Sequence, residues 1–276
     1  MISLGDVVKK SRSSLFWCMQ GYPKAKREAL YTLYAFCCHI DDIVNSSMPS
    51  KEKQNLLEAW REELNNIYYK KVPATNIGRK IYKNCMRFNL SKSKFSAILD
   101  SAFFNVPNPL QAPKQEIFEK YVYGVAVAPI ELALTVMCSE KEKIRDELAR
   151  NLGTAIITTF ILKDIKSDAK KNRLYIPLEL LKKSKVKIGT PLSVIENKNI
   201  INSRENLSEI AEKSYKRAWR LLDKMNKKET FPLRFIGSVS ECYFNIMKNR
   251  GWEIIAPKPY ISSIKKIKIA FKTIFD

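Results

Sequence analysis

Two neighbouring segments of the chain are apolar on nearly all sides, and they limit the possible folds more than any other feature. Residues 114–138 become very apolar after Tyr121, and residues 141–168 are apolar all round between 152 and 162. A helix without a polar face has to lie inside a larger helical assembly. Few segments alternate apolar with polar residues, and the 276 residues include only 8 glycines. The sequence predicts an all-α fold, and without a Pro/Gly/Ser-rich linker it predicts a single domain over residues 1–276.

Amphipathic segments flank these two central helices. Residues 183–203 are polar and contain Gly189-Thr190-Pro191, which predicts a loop or a weakly ordered insert. Ser91 is expected to cap the helix that follows it, and Gly153 to allow close helix packing. Further helices are predicted over residues 24–45, 51–69, 73–88, 91–104, 206–225 and 232–247.

The longest apolar run does not predict a membrane-spanning helix. Residues 122–138 contain Pro129 and Glu131, and they are fewer than the roughly 20 apolar residues that a span needs. We interpret the run as a buried core helix. The first 22 residues lack a basic stretch followed by a clean apolar core, so no signal peptide is predicted. The six cysteines show no C-x-x-C spacing, which favours free thiols in a reducing cytoplasm.

The formal net charge is +21, with Lys and Arg spread along the chain. Such a balance fits a nucleic-acid partner, a membrane surface, anionic substrates or simply solvated lysine-rich helix faces. Because the basic residues are dispersed along the chain, solvated helix faces are favoured as the main cause of the positive net charge. No RNA-binding signature or zinc finger is present, so no nucleic acid is expected. His39 is the only histidine, which argues against a histidine-rich metal site or a Ser-His-Asp triad.

Carboxylates inside apolar helical runs are the strongest functional signal. Asp164 and Asp168 are four residues apart and therefore share one helix face. Asp41 and Asp42 end another apolar run, and Asn45 lies one turn beyond Asp41. Two helices that offer carboxylates inward make a site for hard divalent cations. The alternative is that Asp41 or Asp42 caps its helix or faces water.

Cationic and hydroxyl side chains accompany these carboxylates. Arg173 follows Asp168 and can bind phosphate oxygens through two N–H groups, or it can neutralise the acids in a surface turn. Ser13 and Ser14 precede an apolar run, where they can cap a helix or bind an anion.

The C-terminal residues 258–275 combine isoleucines and Phe271 with four lysines at helical spacing, beginning at Lys265. A basic amphipathic helix of this kind can lie on an anionic membrane. It can equally dock on the core with its lysines in solvent. The sequence leaves both readings open.

Three motifs follow one another along the chain. They are Ser13-Ser14, Pro23, Arg27-Glu28-Ala29, Leu33-Tyr34-Ala35-Phe36-Cys37 and Asp41-Asp42 in the first motif, Tyr121, Val125 and Ala126 in the middle motif, and Gly153, Ile161-Leu162-Lys163-Asp164, Asp168 and Asn172-Arg173-Leu174-Tyr175-Ile176-Pro177 in the second aspartate motif. Their order and spacing resemble the squalene/phytoene synthase family, whose members join two prenyl diphosphates head to head. The resemblance covers nearly the whole chain, and together with Arg250-Gly251-Trp252 it is greatest to the bacterial presqualene diphosphate synthases of hopanoid pathways.

The resemblance implies an isoprenoid synthase fold, a helical bundle around a central apolar cavity with Mg²⁺ held at its mouth. Aromatic side chains such as Tyr34 and Tyr121 would stabilise an allylic cation there. The sequence itself gives no support for NADPH as a further cofactor. By resemblance, the catalytic residues are Asp41, Asp42, Asp164, Asp168 and Tyr121, the metal ligands are Asp41, Asp42, Asn45, Asp164 and Asp168, and the substrate-binding residues are Ser13, Ser14, Tyr34, Lys163, Arg173, Tyr175 and Tyr243.

Several positions depart from the family pattern, and they cluster on the site. Asn45 stands where the family usually has a third aspartate, and Cys38 where it usually has arginine. Ile157 and Phe160 replace polar residues before the second motif. Asn105, with Phe103 nearby, stands at an acidic position, and Ile130 stands at a glycine position.

Two hypotheses follow from the resemblance and its departures. The first is a Mg²⁺-dependent prenyltransferase that condenses two farnesyl or similar diphosphates to presqualene diphosphate or a related C30/C40 product. The second is a catalytically degenerate relative that acts as a membrane-associated assembly or binding factor, as do non-catalytic relatives that serve respiratory complex I assembly. In either case we expect a cytoplasmic protein, and peripheral contact with the inner face of the membrane stays one of the two open readings of the C-terminal helix.

Overall fold

The computed structural model describes residues 15–69 and 71–275, and within these residues it contains helices but no β-strand. A single isolated bridge joins Gln111 to Leu174. The prediction of an all-α fold is therefore confirmed. Ser13 and Ser14 lie outside the described residues.

The described residues form thirteen α-helices and one π-helical turn. Side-chain caps define the beginning of some of these helices. The Thr75 hydroxyl accepts a hydrogen bond from the Gly78 N–H, and the Asn226 side chain accepts hydrogen bonds from the Lys228 and Glu229 N–H groups. The helices are α1 Leu15–Cys18, α2 Lys24–Asn45, α3 Ser50–Tyr68, α4 Asn76–Phe88, α5 Lys92–Phe103, α6 Gln115–Val122, α7 Ala128–Met137, α8 Glu142–Lys170, α9 Leu178–Lys183, α10 Pro191–Ile195, α11 Ile200–Leu222, α12 Lys227–Arg250 and α13 Ser263–Phe275, with the π-helical turn Tyr123–Val127 between α6 and α7.

Helix α8 lies at the centre of the bundle. It packs against α7, α10, α11, α12 and the π-helical turn, so its apolar residues are buried around most of its circumference. Gly153 faces the backbone of Val127, where an added Cβ would lie 3.0 Å from the Val127 Cα. Both the central position of the helix and the close packing at Gly153 agree with the sequence prediction.

The helical segment from Gln115 to Met137 contains a π-helical turn rather than the uninterrupted helix that the periodicity predicts. Pro129 explains the difference, because proline has no N–H to donate and its ring crowds the carbonyl one turn earlier. A wider turn at Tyr123–Val127 relieves this conflict, as π-bulges do elsewhere. By length and composition this segment is the one described helix that could cross a membrane, but 56% of its most apolar window is buried in the protein. That burial fits a core helix.

The prediction of a loop or weakly ordered insert over residues 183–203 is wrong. Helix α10 lies within this segment, capped by the Thr190 hydroxyl, and α11 already begins at Ile200. Val194, Ile195 and Ile200 are buried, so a few well-spaced apolar residues suffice to dock a polar segment.

Two smaller predictions concern the Ser91 cap and the state of the cysteines. Ser91 stands at the N-cap position of α5, but its hydroxyl pairs with the Ser93 hydroxyl (2.7 Å) and caps no backbone N–H. All six cysteines are free thiols, as predicted.

Candidate active site

The carboxylates of the two aspartate motifs lie near the C-terminal ends of α2 and α8. Asp41 and Asp42 are exposed in the last turns of α2, whereas Asp164 and Asp168 are half-buried in the last two turns of α8. The Asn45 amide donates to Asp41 Oδ1 at 2.8 Å. The expectation that both motifs lie deep in apolar helices therefore holds for α8 only, and α2 presents its acids to solvent.

Arg173 connects the two helix ends. The chain leaves α8 through Asn172 in a left-handed conformation (φ 59°), and the Arg173 N–H donates to the Asp168 carbonyl at 2.9 Å. This turn directs the guanidinium across the gap, where Nη1 donates to Asn45 Oδ1 at 2.8 Å. Arg173 Nε is buried and has no hydrogen-bond partner within the protein. A buried N–H without a partner is suited to an anionic ligand.

Electrostatics explain why this region favours a cation beside the acids. Burial raises the pKa of Asp168 to about 6, and repulsion from Asp164 adds to the shift, while Arg173 opposes it. The pKa of Asp41 is also raised, by desolvation of its carboxylate at the cavity wall and then by Asp42, although the residue as a whole is exposed. Because like charges raise both pKa values, a divalent cation at either pair would relieve the repulsion.

The carboxylates fit Mg²⁺ as ligands in a particular way. Among the described residues, no three His, Cys, Asp or Glu side chains come close enough to hold a metal ion by themselves. Mg²⁺ is usually bound through one or two carboxylates, with waters and substrate phosphates completing six oxygens. Two separate pairs of aspartates suit that arrangement. Asn45, predicted as a ligand, uses its amide to join Asp41 to Arg173.

Two lysines converge on Asp164. Lys163 Nζ lies 3.0 Å from Asp164 Oδ2, and Lys258, from the segment after α12, forms a second ion pair with the same carboxylate. The Lys163 ammonium also lies over the rings of Phe160 (4.8 Å) and Tyr243 (5.1 Å). Burial lowers the pKa of Lys163, and Asp164 opposes that shift. The predicted substrate-binding residues Lys163 and Tyr243 are thus adjacent.

Lys258 is a site residue that sequence reasoning missed. It is 94 positions from Asp164, so no helical spacing links the two. The backbone that carries it is held in place: Gly251 adopts a φ of 91°, and Arg250 donates to the Pro257 carbonyl at 2.6 Å. The Arg250-Gly251 pair is the one local signal that could have indicated a folded-back segment.

The tyrosines of the middle and second motifs stack on each other inside the cavity. The ring centroids of Tyr121 and Tyr175 are 4.8 Å apart with an interplanar angle of 11°. The Tyr175 hydroxyl donates to Asn105 Oδ1 at 3.0 Å. Burial raises the pKa of both tyrosines, so their hydroxyls stay protonated and can donate hydrogen bonds. Asn105, the residue that departs from the family's acid, thus orients this aromatic pair.

The cavity below the carboxylates has two parts. The upper part, about 480 Å³, is bounded by polar groups of Asp41, Asn105, Arg173 and Tyr175. The lower part, about 320 Å³, is lined almost wholly by apolar side chains, including the departures Ile130 and Ile157. Five residues line both parts and form their junction: Tyr34, Cys37, Val125, Pro129 and Phe160.

The π-helical turn shapes that junction, since it carries Val125 and immediately precedes Pro129. Cys38 lines the upper part only. Of the predicted site residues, five line this cavity: Tyr34, Asp41, Tyr121, Arg173 and Tyr175. Six others lie outside its lining: Asp42, Asn45, Lys163, Asp164, Asp168 and Tyr243.

The all-α bundle, with an internal cavity that Asp41 and Arg173 line above and apolar side chains line below, has the architecture of the isoprenoid synthase fold. The comparison with protein families then narrows the class. The model of the squalene/phytoene synthase family matches residues 8–262. The chain belongs to this family and is a prenyl transferase of the squalene/phytoene synthase type.

Curated relatives agree with this assignment. The presqualene diphosphate synthase of Rhodopseudomonas palustris is 28% identical over 260 residues, which cover 94% of this chain and 91% of the relative. The presqualene diphosphate synthase of Zymomonas mobilis is 32% identical over 191 residues, covering 68% and 62%. A phytoene synthase of Arthrospira platensis is 27% identical over 169 residues, covering 57% and 54%.

Solved structures show the same fold. A dehydrosqualene synthase in complex with ligand superposes with a TM-score of 0.83 at 20% identity, over 98% of this chain and 93% of that chain. Squalene synthase HpnC from Alicyclobacillus acidocaldarius superposes with a TM-score of 0.76 at 17% identity, over 90% and 94%.

Proposed function

We propose that this protein is a Mg²⁺-dependent head-to-head prenyltransferase that condenses two farnesyl or similar diphosphates to presqualene diphosphate or a related C30/C40 product. One observation carries the proposal: Asp41 and Arg173 line the upper part of a cavity that becomes almost wholly apolar below them. Arg173 also joins the end of α8, which carries Asp164 and Asp168, to Asn45 at the end of α2. The relatives from Rhodopseudomonas palustris and Zymomonas mobilis are presqualene diphosphate synthases, which supports the same substrate class.

The reaction assigns different tasks to the two parts of the cavity. Asp41, Asp42, Asp164 and Asp168 would hold Mg²⁺, which as a Lewis acid neutralises the charge that develops on a leaving diphosphate. Arg173 binds diphosphate oxygens through its free Nε–H and its guanidinium edge. The lower part takes the prenyl tail and excludes water from the reacting carbons.

The bond changes balance within the two substrates. One diphosphate leaves with the electron pair of its C1–O bond, and the resulting allylic cation is attacked by a double bond of the second substrate. Loss of one proton to the released diphosphate closes the three-membered ring. Tyr34 at the junction and the stacked Tyr121 offer aromatic faces to the cation. The second substrate keeps its diphosphate in the product.

The test is incubation of purified protein with farnesyl diphosphate and Mg²⁺, with and without NADPH, followed by analysis of released diphosphate and of the lipids. We expect a C30 diphosphate that requires Mg²⁺ and forms without NADPH. Asp164→Asn should abolish it, whereas Asp100→Asn, at a surface ion pair with Arg61, should not. No condensation at high enzyme concentration would overturn the proposal, and full activity of Asp164→Asn would overturn the site assignment alone.

A non-catalytic assembly or binding factor with this fold is the alternative, and one observation favours it. Both oxygens of Asp164 are engaged by ammonium groups, from Lys163 and Lys258, which compete with a cation for that carboxylate. The same experiment decides between the two, because a binding factor would retain prenyl diphosphate without releasing diphosphate.

We further propose a cytoplasmic location, at the inner face of the membrane. Six free cysteines suit a reducing compartment. Fractionation of cells that express the protein tests this location, and recovery from a periplasmic fraction would contradict it.

A further inference from the structure

Helix α13 presents its apolar residues outward. Ile264 and Ile267 follow helical spacing along one side, and they are 69% and 56% exposed. We call these two residues the apolar stripe of α13. Tyr260, just before the helix, is 77% exposed. Large apolar side chains scattered singly over a surface are ordinary, but a continuous stripe of them on one helix is not.

The opposite side of α13 is the one that docks on the protein. Helix α13 packs against α12, and its half-buried residues include Ile269 and Ala270. Ile269 and Thr273 face a groove shared with α12. Ordinary docking would bury the stripe and leave the lysines in solvent. The observed orientation keeps the stripe in solvent instead, so the amphipathic pattern of α13 serves a surface other than the protein core.

The charge around the stripe indicates which surface. Lys268 is exposed beside it, and Lys265 is exposed where it lines the groove shared with α12. The residues from Lys258 to Phe275 include no acidic side chain. Lysines near an apolar helix face are attracted to anionic phospholipid head groups, at about a fivefold gain in binding for each lysine near the surface. A protein partner with an apolar groove would not need this excess of positive charge.

We propose that the apolar stripe of α13 binds an anionic phospholipid bilayer, with the stripe and Tyr260 in the interfacial layer and Lys265 and Lys268 at the head groups. The helix lies outside residues 8–262, which the family model matches.

The proposal also connects the bilayer to the cavity. The segment that leads into α13 carries Lys258, which pairs with Asp164. Only five positions separate Lys258 from Ser263, the first residue of α13, so binding of α13 places the carboxylate end of the cavity near the membrane. Long prenyl chains partition into bilayers, and a site held there meets them at high local concentration.

The test is co-sedimentation of the full chain with vesicles of phosphatidylcholine alone or of phosphatidylcholine mixed with phosphatidylglycerol, with no substrate present. We expect binding to the mixed vesicles only. Lys265→Gln with Lys268→Gln should weaken that binding about thirtyfold, and Ile264→Ser with Ile267→Ser at least tenfold. Val72→Ser with Met86→Ser, at exposed apolar residues elsewhere, is the matched control and should bind like the wild type.

Equal binding of all variants, or equal binding to neutral and mixed vesicles, would overturn the proposal. Size-exclusion chromatography of the same proteins provides a second readout: a dimer that dissociates in the Ile264→Ser, Ile267→Ser variant would assign the stripe to a second copy of the chain and also overturn it. Because vesicle binding is measured without substrate, failure here leaves the proposed reaction unaffected, and failure of the reaction leaves vesicle binding unaffected.

Discussion

The two ends that supply the carboxylates differ in how their charges are balanced. At the α2 end, Asp41 and Asp42 are exposed, and the counter-charge comes indirectly through Asn45 from Arg173. At the α8 end, Asp164 is 24% exposed and two lysines contact it directly. The α8 end is therefore more strongly desolvated and more strongly paired. The comparison teaches that two similar aspartate motifs in one sequence acquire different counter-charges through their surroundings.

The largest expected effect is the loss of kcat/KM when one aspartate at each end is substituted. Asp168→Asn should lower kcat/KM about a thousandfold, because it removes a charged ligand from a partly desolvated site where electrostatic stabilisation is strongest. Asp42→Asn, on the exposed α2 end, should cost about a hundredfold. Diphosphate release measures both. Equal losses would show that the surroundings do not distinguish the two ends.

The next largest effect concerns Arg173, which links the α2 end to the α8 end. Arg173→Lys keeps the charge but loses the planar fork that reaches Asn45, so we expect kcat/KM to fall about a hundredfold. The loss should fall on KM and kcat together, since the guanidinium contacts diphosphate in the ground state and contacts it more strongly as negative charge develops on the leaving group. Lys170→Arg, an exposed charge-preserving change at the end of α8, is the matched control. A variant with wild-type kinetics would show that Arg173 only neutralises a surface turn.

A smaller effect comes from making the α2 end more like the family pattern. Asn45→Asp adds a third carboxylate beside Asp41 and gives Arg173 a direct ion pair. We expect the Mg²⁺ concentration at half-maximal rate to fall about tenfold, because each added charged ligand tightens divalent cation binding. A Mg²⁺ titration of the rate measures this shift. An unchanged midpoint would indicate that Asn45 stands outside the metal site.

The smallest effect tests the direct pairing at the α8 end. Lys258→Gln removes one of two ammonium groups that compete for Asp164, and Lys258 is 56% exposed, so the ion pair is worth little. We expect the half-maximal Mg²⁺ concentration to fall about threefold. Lys266→Gln, on the same chain segment but without an ion pair to Asp164, serves as control. A rise in the Mg²⁺ requirement would instead make Lys258 a diphosphate contact.

Local features of this protein were predictable because they depend on residues close in sequence. The spacing of apolar residues predicted the central helices, and the separation of four residues placed Asp164 and Asp168 on one face. Gly153 and the free cysteines also agree with expectation. The π-helical turn was missed even though Pro129 was noted, because sequence alone does not show whether proline bends, ends or widens a helix.

Contacts between residues that are distant in sequence could not be predicted from local patterns. The Arg173–Asn45 hydrogen bond spans 128 positions, and the Lys258–Asp164 ion pair spans 94. Each depends on the angles at which whole helices pack, which no period of apolar residues specifies. The same holds for residues 183–203, where packing against the core outweighs a polar composition.

The sequence by itself determined the all-helical class, the two aspartate motifs and the amphipathic character of the C-terminal helix, since all three follow from residue type and helical period. Only the tertiary structure decided which carboxylates are desolvated, which cations face them, and which side of α13 is left in solvent. Desolvation and charge pairing are properties of three-dimensional surroundings, and a helix of given amphipathicity can turn either face to its neighbours.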